Sequence, residues 1–522
     1  MRFSYSTLAL LPLAAAIPAQ HAAKSIPELS ISQWNDIQSG FTDGLRSLSS
    51  WSWNKAEDVI DELEAIAGAS YEDQADESEL TIWQQLKADP HSFSKLVKII
   101  EFEGKAIDYL DDKDLQITFF APNNDALTPP KHHHHHDDDD SSLAALLHNP
   151  SLTTLSTVLE NEPSLLSVDE DDDKHHHHHD GDDDPDKKKR RKEIFRKIAG
   201  KVLQYHGLTK SYTAQELAQN STIATALRAE DGSYGGLHRR IRIDKHLVPP
   251  SLKINFYAEV LVSDKKARNG IFHTLKYPLI PPGSILEELF LFPDTFSTLT
   301  SAVQKVHGQH FLDYSFDREH SKPGKPRFHG AGLATNFSPT NKAFAALPEK
   351  LKFFLFSPFG ERALVKILAY HYIPHTLLLS ELLYTEKHHD HGHDHDHKKH
   401  RHSDAIDGFT DLVGAYEYFN LADDPSFHKE FEISPALPNS TLKIEIDKSK
   451  FLPVEGAVKT TIKVNGEQVE VIDVPARNGA THVIGKLLVP PHHHHDDDGH
   501  DLSGEDTWEN WEQWLPAWAE QE

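Results

Sequence analysis

The sequence predicts a chain of mixed helices and strands in which one domain occurs twice. Three observations predict it. Thr118-Phe-Phe-Ala-Pro-Asn-Asn-Asp-Ala-Leu127 and Thr335-Asn-Phe-Ser-Pro-Thr-Asn-Lys-Ala-Phe344 share Thr, Phe, Pro, Asn and Ala at the same offsets. Ala267-Arg-Asn-Gly-Ile-Phe-His273 is matched by Ala476-Arg-Asn-Gly-Ala-Thr-His482, and each is followed at equal distance by a Pro-Pro pair, ending at Pro282 and Pro491. Between these landmarks, helical spacing gives way to strand-like alternation in the same order both times.

Composition bounds the rest. At 522 residues the chain is long enough for two or three cores. Hydrophobic residues make up 38% and charged residues 26%, the latter partly gathered in runs, so folded domains alternate with solvated insertions. A formal net charge of −28 disfavours general binding to nucleic acid or anionic membrane, which needs a basic surface. Cysteine is absent, so no disulfide framework exists and each domain depends on its apolar core.

Residues 1–19 read as a secretory signal: Arg2 supplies the positive start, Leu8 to Ala16 an apolar run, and Ala14-Ala15-Ala16 small residues for cleavage. No later stretch reaches the roughly 20 apolar residues of a membrane helix. The expected location is the secretory pathway, ending at the cell surface or outside the cell, with a vacuole lumen as the alternative. Residues 20–79 are an acidic lead, in which Val59, Ile60, Leu63 and Ile66 repeat at helical spacing before Gly68.

The first domain, 80–284, opens with Ile82, Trp83, Leu86, Phe93 and Leu96 at helical spacing. In each signature, aromatic and β-branched residues make a strand, and Pro122 or Pro339 stops it. Asn123 or Asn124, and Thr340 or Asn341, are placed to cap a following helix. Low-complexity insertions near 131–141 and 168–192 interrupt the domain. It resumes with helical Ile194–Leu203, then Tyr205-His206, then strands over 240–282. The second domain, 285–491, repeats the order around Tyr370-His371, with a His-rich insertion at 387–403. Residues 492–522 form a His/Asp-rich and Trp-rich acidic tail. In it Trp508, Trp511 and Trp514 share one helical side before Pro516, a side suited to docking on the second domain or in a partner groove.

Each repeat resembles a fasciclin domain. That family has a first box of the type Thr-x-Phe-Ala-Pro-x-Asn-x-Ala-Phe, a central Tyr-His, and a second box Asn-Gly-x-x-His-x-Ile ending near Pro-Pro. Here the boxes are Thr118–Leu127 and Thr335–Phe344, then Tyr205-His206 and Tyr370-His371, then Asn269–Leu275 and Asn478–Ile484. Leu127, Asn336, Ser338 and Lys342 depart from the pattern by side-chain exchanges that leave strand, turn and cap intact. The resemblance implies an α+β fold of two tandem fasciclin-like domains. Each would be a β-wedge or sandwich with helices packed along one side. The likeness is to fungal-type secretory members, here with His/Asp-rich insertions. It implies an adhesion or matrix role with a protein or cell-wall partner, and it carries over no catalytic residue.

The chain lacks a Cys nucleophile, a Gly-x-Ser-x-Gly elbow, a His-Glu-x-x-His pair and a phosphate-cradling loop, so no enzyme is expected. In the family, the neighbourhood of Tyr205-His206 and Tyr370-His371 is associated with receptor contact. The competing reading is that these residues pack and hydrogen-bond inside the fold. His273 and His482 are expected to bond backbone groups.

The tracts hold 23 of the 38 histidines. His132 and His133 open the first, and His175 and His176 the second. In the third, His388, His389, His391, His393, His395 and His397 alternate with Asp and Gly. Imidazoles beside carboxylates suit zinc, copper or nickel, bound weakly because no geometry is fixed. No cofactor is required. The plain alternative is a solvated surface insertion. Imidazoles also charge below about pH 6, which would let the tracts condense in an acidic compartment. Glycosylation sequons begin at Asn220, Asn336 and Asn439. The basic run Lys187–Lys192 is either a counter-charge for the adjoining Asp run or a processing site in an exposed loop.

These residues point to a non-enzymatic adhesion or interaction protein. The rivals are a His/Asp-rich metal-binding or buffering protein and a vacuole-lumen protein involved in membrane traffic.

Overall fold

The computed structural model describes residues 79–128, 185–247, 250–317, 320–321, 327–385, 416–418, 426–450, 458–492 and 508–521, with Leu152, Leu155, Ser156 and Leu159. The leader at 1–19, the helical pattern at 56–67 and nearly all of the His tracts lie outside the described residues.

The first half begins with three helices, α1 (Ile82–Ala88), α2 (Pro90–Glu103) and α3 (Lys105–Asp111). Thr81 and Gln84 cap α1 reciprocally, each side chain accepting from the other's amide. Asp89 caps α2, and Pro90 occupies its first turn, where a missing N–H costs nothing. Strand β1 (Ile117–Pro122) follows, then α4 (Pro185–Tyr205), β2 (Gly207–Leu208), α5 (Ala214–Leu217) and β3 (Thr222–Arg228). Four strands finish the half: β4 (His238–Leu247), β5 (Pro250–Ile254), β6 (Ala258–Ala267) and β7 (Gly270–Leu275). The seven strands close into a barrel in chain order, with β1 and β7 parallel.

The second half opens with α6 (Ile285–Leu291), α7 (Pro293–Lys305) and α8 (Gln309–Leu312), then a hairpin of β8 (Tyr314–Phe316) and β9 (Phe328–Gly330). Next come β10 (Ala334–Pro339), α9 (Asn341–Ala345), α10 (Glu349–Phe356), α11 (Glu361–Tyr370) and β11 (Tyr372–Pro374). A three-stranded sheet is built from β12 (Thr376–Leu379), β13 (Leu382–Thr385) and β14 (Tyr416–Tyr418). The main sheet is completed by β15 (Phe427–Ile433), β16 (Leu442–Lys450), β17 (Val458–Val464), β18 (Glu467–Ala476) and β19 (Gly479–Ile484). Its order, β11-β10-β19-β18-β17-β16-β15, matches the first half strand for strand. The difference is closure: Leu208 pairs with Thr225 to shut the first sheet, while the second is an open seven-stranded sheet among the described residues. The fold is α+β, with helices packed beside each sheet.

The duplicated motifs are explained by one construction used twice. Strands β1, β7, β10 and β19 are buried along their whole length. Ile117 stands opposite Gly270, and Ala334 opposite Gly479. A Cβ on Gly270 would lie 1.9 Å from the Ile117 carbonyl oxygen, and one on Gly479 1.7 Å from that of Ala334. Only glycine permits this approach. The preceding asparagines tie the last strand to the first helix. Asn269 accepts from the Ile82 amide at 2.9 Å, and Asn478 from the Ile285 amide at 2.9 Å.

The first-box residues divide the capping work. Asn123 accepts from the Ala126 amide and Thr340 from the Ala343 amide. Asn124 and Asn341 reach backward instead, accepting from Lys95 in α2 and Thr298 in α7. After the first box the chain makes a turn rather than a helix; only the second box opens one, α9.

One expectation is corrected here. The run Lys187–Lys192 lies within α4, not in an exposed loop, and the insertion expected to reach 192 ends before Pro185. Lys and Arg are good helix formers, and the run joins a helix whose Phe195, Ala199 and Val202 are buried in the first core. Lys192 is itself buried, and Arg191 lies 5.5 Å from the Phe195 ring. A helix of this kind is a poor protease substrate without local unfolding.

Candidate interaction surface

The Tyr-His pairs end their helices inside the fold. Tyr205 donates to the Arg240 carbonyl at 3.3 Å and accepts from the Asn255 amide group at 2.9 Å. Tyr370 does the same with Thr441 at 3.1 Å and Asn465 at 2.7 Å. His206 donates from Nδ1 to Val202 at 2.8 Å and accepts at Nε2 from Leu279 at 2.8 Å. His371 repeats this with Ile367 at 2.7 Å and Leu488 at 3.0 Å. An acceptor on one nitrogen and a donor on the other fix a neutral ring. Burial pushes both imidazoles down to about 4, against a smaller opposing effect of the backbone hydrogen bond.

His273 and His482 are also consumed internally. Each accepts at Nδ1 from an amide, Asp264 or Asp473, and donates from Nε2 to a carbonyl, Tyr212 or Leu378. None of these four histidines has a free face for a substrate or an ion.

The two halves meet at a polar seam. Asp231 of the first half accepts from Arg477 of the second at 3.1 Å and from its own half's Arg239 at 3.3 Å. Arg239 also donates to the Arg477 carbonyl and to Ser233. Tyr314 donates to the Asp231 carbonyl at 2.7 Å, and the Tyr234 amide to Gly332 at 2.7 Å. Burial tends to raise the Asp231 carboxyl, but the Ser233 hydroxyl and the two guanidinium groups outweigh it and hold it below the usual range. Glu381 makes a second tie, accepting from the Ser221 amide at 2.9 Å with Arg240 and Lys448 each 3.9 Å away. Burial raises this carboxyl. Beneath the polar ties, one continuous apolar cluster holds Phe120 and Ile254 of the first half together with Phe344 and Val483 of the second. Such ties fix orientation more than they add stability, because each charge gives up its hydration.

The tail returns to the second half as α12 (Trp511–Glu520), which runs through Pro516. Trp514 and Leu515 are buried, Lys366 of α11 donates to the Trp518 carbonyl at 2.9 Å, and Lys350 meets Glu512 at 3.3 Å. His492, where the last tract begins, stacks on Trp514 at 3.8 Å. Phe354 of α10 meets Trp511 of this tail at 5.3 Å, whereas Phe353 and, after the helix, Phe359 are 68% and 87% exposed. The latter two are the most exposed large apolar side chains among the described residues.

The other expected sites divide clearly. His132, His133, His175, His176 and the histidines from His388 to His397 lie outside the described residues. Asn439 is exposed in a turn, and Asn220 is half-buried in a loop. Asn336 is a correction: it is buried in the middle of β10 and donates to Ser338 at 2.6 Å, so the folded chain has no room for a glycan there. Sequence reading missed Asp317, His320 and His329, which come together on the β8–β9 hairpin. The signal was an Asp-x-x-His pair with a second histidine nine residues on, overshadowed by the long tracts.

Residues 294–407 match the family model described as Fasciclin domain. Among solved structures, the chain is similar to a FAS1 domain pair from the insect cell adhesion molecule fasciclin I. That similarity has 15% identity, covers 76% of this chain and 96% of that one, and has a TM-score of 0.26. No curated protein matches the chain.

Proposed function

We propose that this fasciclin-domain protein is a non-enzymatic adhesion or interaction protein whose two repeats act as one rigid unit. The observation that carries the reading is the family match over residues 294–407. The first half supports it by repeating the second's strand order, registers and buried Tyr-His geometry. The first half is thus read as a second fasciclin domain in tandem. The Tyr-His pairs, the second-box asparagines and histidines and the first-box caps serve the fold, which leaves function to the surface. We take the partner to be a protein or matrix component outside the cell, reached by the secretory pathway, and contact to involve Phe353 and Phe359. The test is to coat beads with the full chain and measure their attachment to cell surfaces and matrix preparations. Attachment reduced severalfold by Phe353→Asp with Phe359→Asp supports the reading. Beads that attach no better than albumin-coated ones would sink it.

A further inference from the structure

In the β8–β9 hairpin, Ser315 is opposite His329 and Phe316 is opposite Phe328. The ladder continues one step, with the Asp317 amide donating to Arg327 at 2.9 Å. Side chains alternate across a strand, so the hairpin has two faces. Tyr314, Phe316 and Phe328 form an aromatic face, with Tyr314 and Phe328 stacked at 5.0 Å and Phe316 edge-on at 5.7 Å. Asp317 and His329 lie diagonally across the opposite face. Asp317 then turns the chain: its carboxylate accepts from the His320 amide at 3.0 Å. That turn brings His320 Nδ1 to 2.9 Å from Asp317 Oδ2, and His329 Nε2 reaches the same oxygen at 2.9 Å.

We propose that Asp317, His320 and His329 form a binding site for a divalent transition metal of the zinc class. One ligand atom from each residue lies within 4.8 Å of the other two. Metal–ligand bonds of about 2.0–2.2 Å place the ligands of one tetrahedral ion roughly 3–3.5 Å apart, and each histidine nitrogen already stands 2.9 Å from the Asp317 oxygen. The donor set is two imidazole nitrogens and one carboxylate oxygen. It suits zinc and its neighbours and disfavours calcium and magnesium, which take oxygen ligands. Asp317 is 5% exposed and anchored, whereas the His320 and His329 side chains are 61% and 66% exposed. An ion can therefore enter from solvent and keep water in its remaining position. Arg327 shares this face and is itself exposed.

The hairpin also supports the seam. Tyr314 donates to Asp231, and Arg477 lies 5.7 Å from both the Tyr314 and Phe328 rings. A metal on the polar face would pin the strand pair whose aromatic face abuts the first half.

Hydrogen–deuterium exchange on the full chain reads this hairpin separately from the His tracts. Zinc chloride should slow exchange in the segments 314–317 and 327–330 by about tenfold, while magnesium chloride should not. In His320→Ala and in His329→Ala the zinc midpoint for these segments should rise by about tenfold or more. Both histidine side chains are exposed, so their replacement leaves the hairpin folded and the test valid. Two results would overturn the site: no zinc-dependent protection in the unaltered chain, or equal protection in both histidine variants. The three side chains would then be a hydrogen-bonded cluster only.

Discussion

Asp231 and Arg477 stand in different halves of the chain, yet their side chains meet at 3.1 Å across the seam. The Asp231 carboxylate also binds Arg239 and Ser233, while its main-chain carbonyl accepts from Tyr314, so one residue organises contacts from both halves. Asp231→Ala should destabilise the protein by about 2–4 kcal/mol, less than a fully buried pair because both partners retain some exposure. A double-mutant cycle with Arg477→Ala, followed by urea unfolding, should give a coupling of about 1 kcal/mol. Strict additivity would mean the two halves are not held by this contact.

Gly479→Ala should be far more damaging than its chemistry suggests. The added methyl would collide with the Ala334 carbonyl, at a backbone φ of 146°. The expected loss exceeds about 3 kcal/mol, or the second half fails to fold. Gly466→Ala is the control: its φ is 77° and nothing lies within 4 Å, so about 1 kcal/mol is expected. Circular dichroism melts of both variants give the comparison, and equal losses would refute the close-approach argument.

Acid should destabilise the fold through His206 and His371. Each is neutral in the native state with a pKa pushed down to about 4, against roughly 6.5 when unfolded. Above pH 6.5 neither state binds the proton, and stability is unaffected. As pH falls from 6.5 towards 4 only the unfolded state takes it up, so stability is lost. The slope is about 1.4 kcal/mol per pH unit for each histidine, and about 3 kcal/mol each over the whole window. Denaturant titrations at several pH values should show His371→Gln with a slope shallower by one proton. An unchanged slope would rule out this origin.

Expressed through a eukaryotic secretory route, the chain should carry glycans on Asn220 and Asn439 and none on Asn336. Glycopeptide mass spectrometry decides this. Occupancy at Asn336 would require that modification precede the folding of β10, which buries that side chain.

Much of the architecture was legible because the repeat imposes matching steric demands. The close backbone approach at the start of each of these parallel pairs needs glycine, so Asn269-Gly270 and Asn478-Gly479 announce themselves at fixed spacing. Closure of the first sheet was not legible, since it depends on a single pair, Leu208 and Thr225, with no local signature. The helical start at Pro185 was hidden because a run of like charges reads as solvent-exposed whether or not it is helical. The Asp317 cluster was hidden for another reason: only the hairpin register brings His329 beside a carboxylate twelve residues earlier.

The pairing of β1 with β7, and of β10 with β19, also governs how the chain can fold during synthesis. The opening strand of each half must wait, unpartnered on one side, until its closing strand has left the ribosome. Long-range pairing of this kind makes for slow folding and a lasting exposed edge. It also explains why inserted tracts are tolerated between the two strands. Closing a flexible loop twice as long costs only about 0.6 kcal/mol more. Added length there burdens the finished protein little, and its main effect is on the time a nascent half spends incomplete.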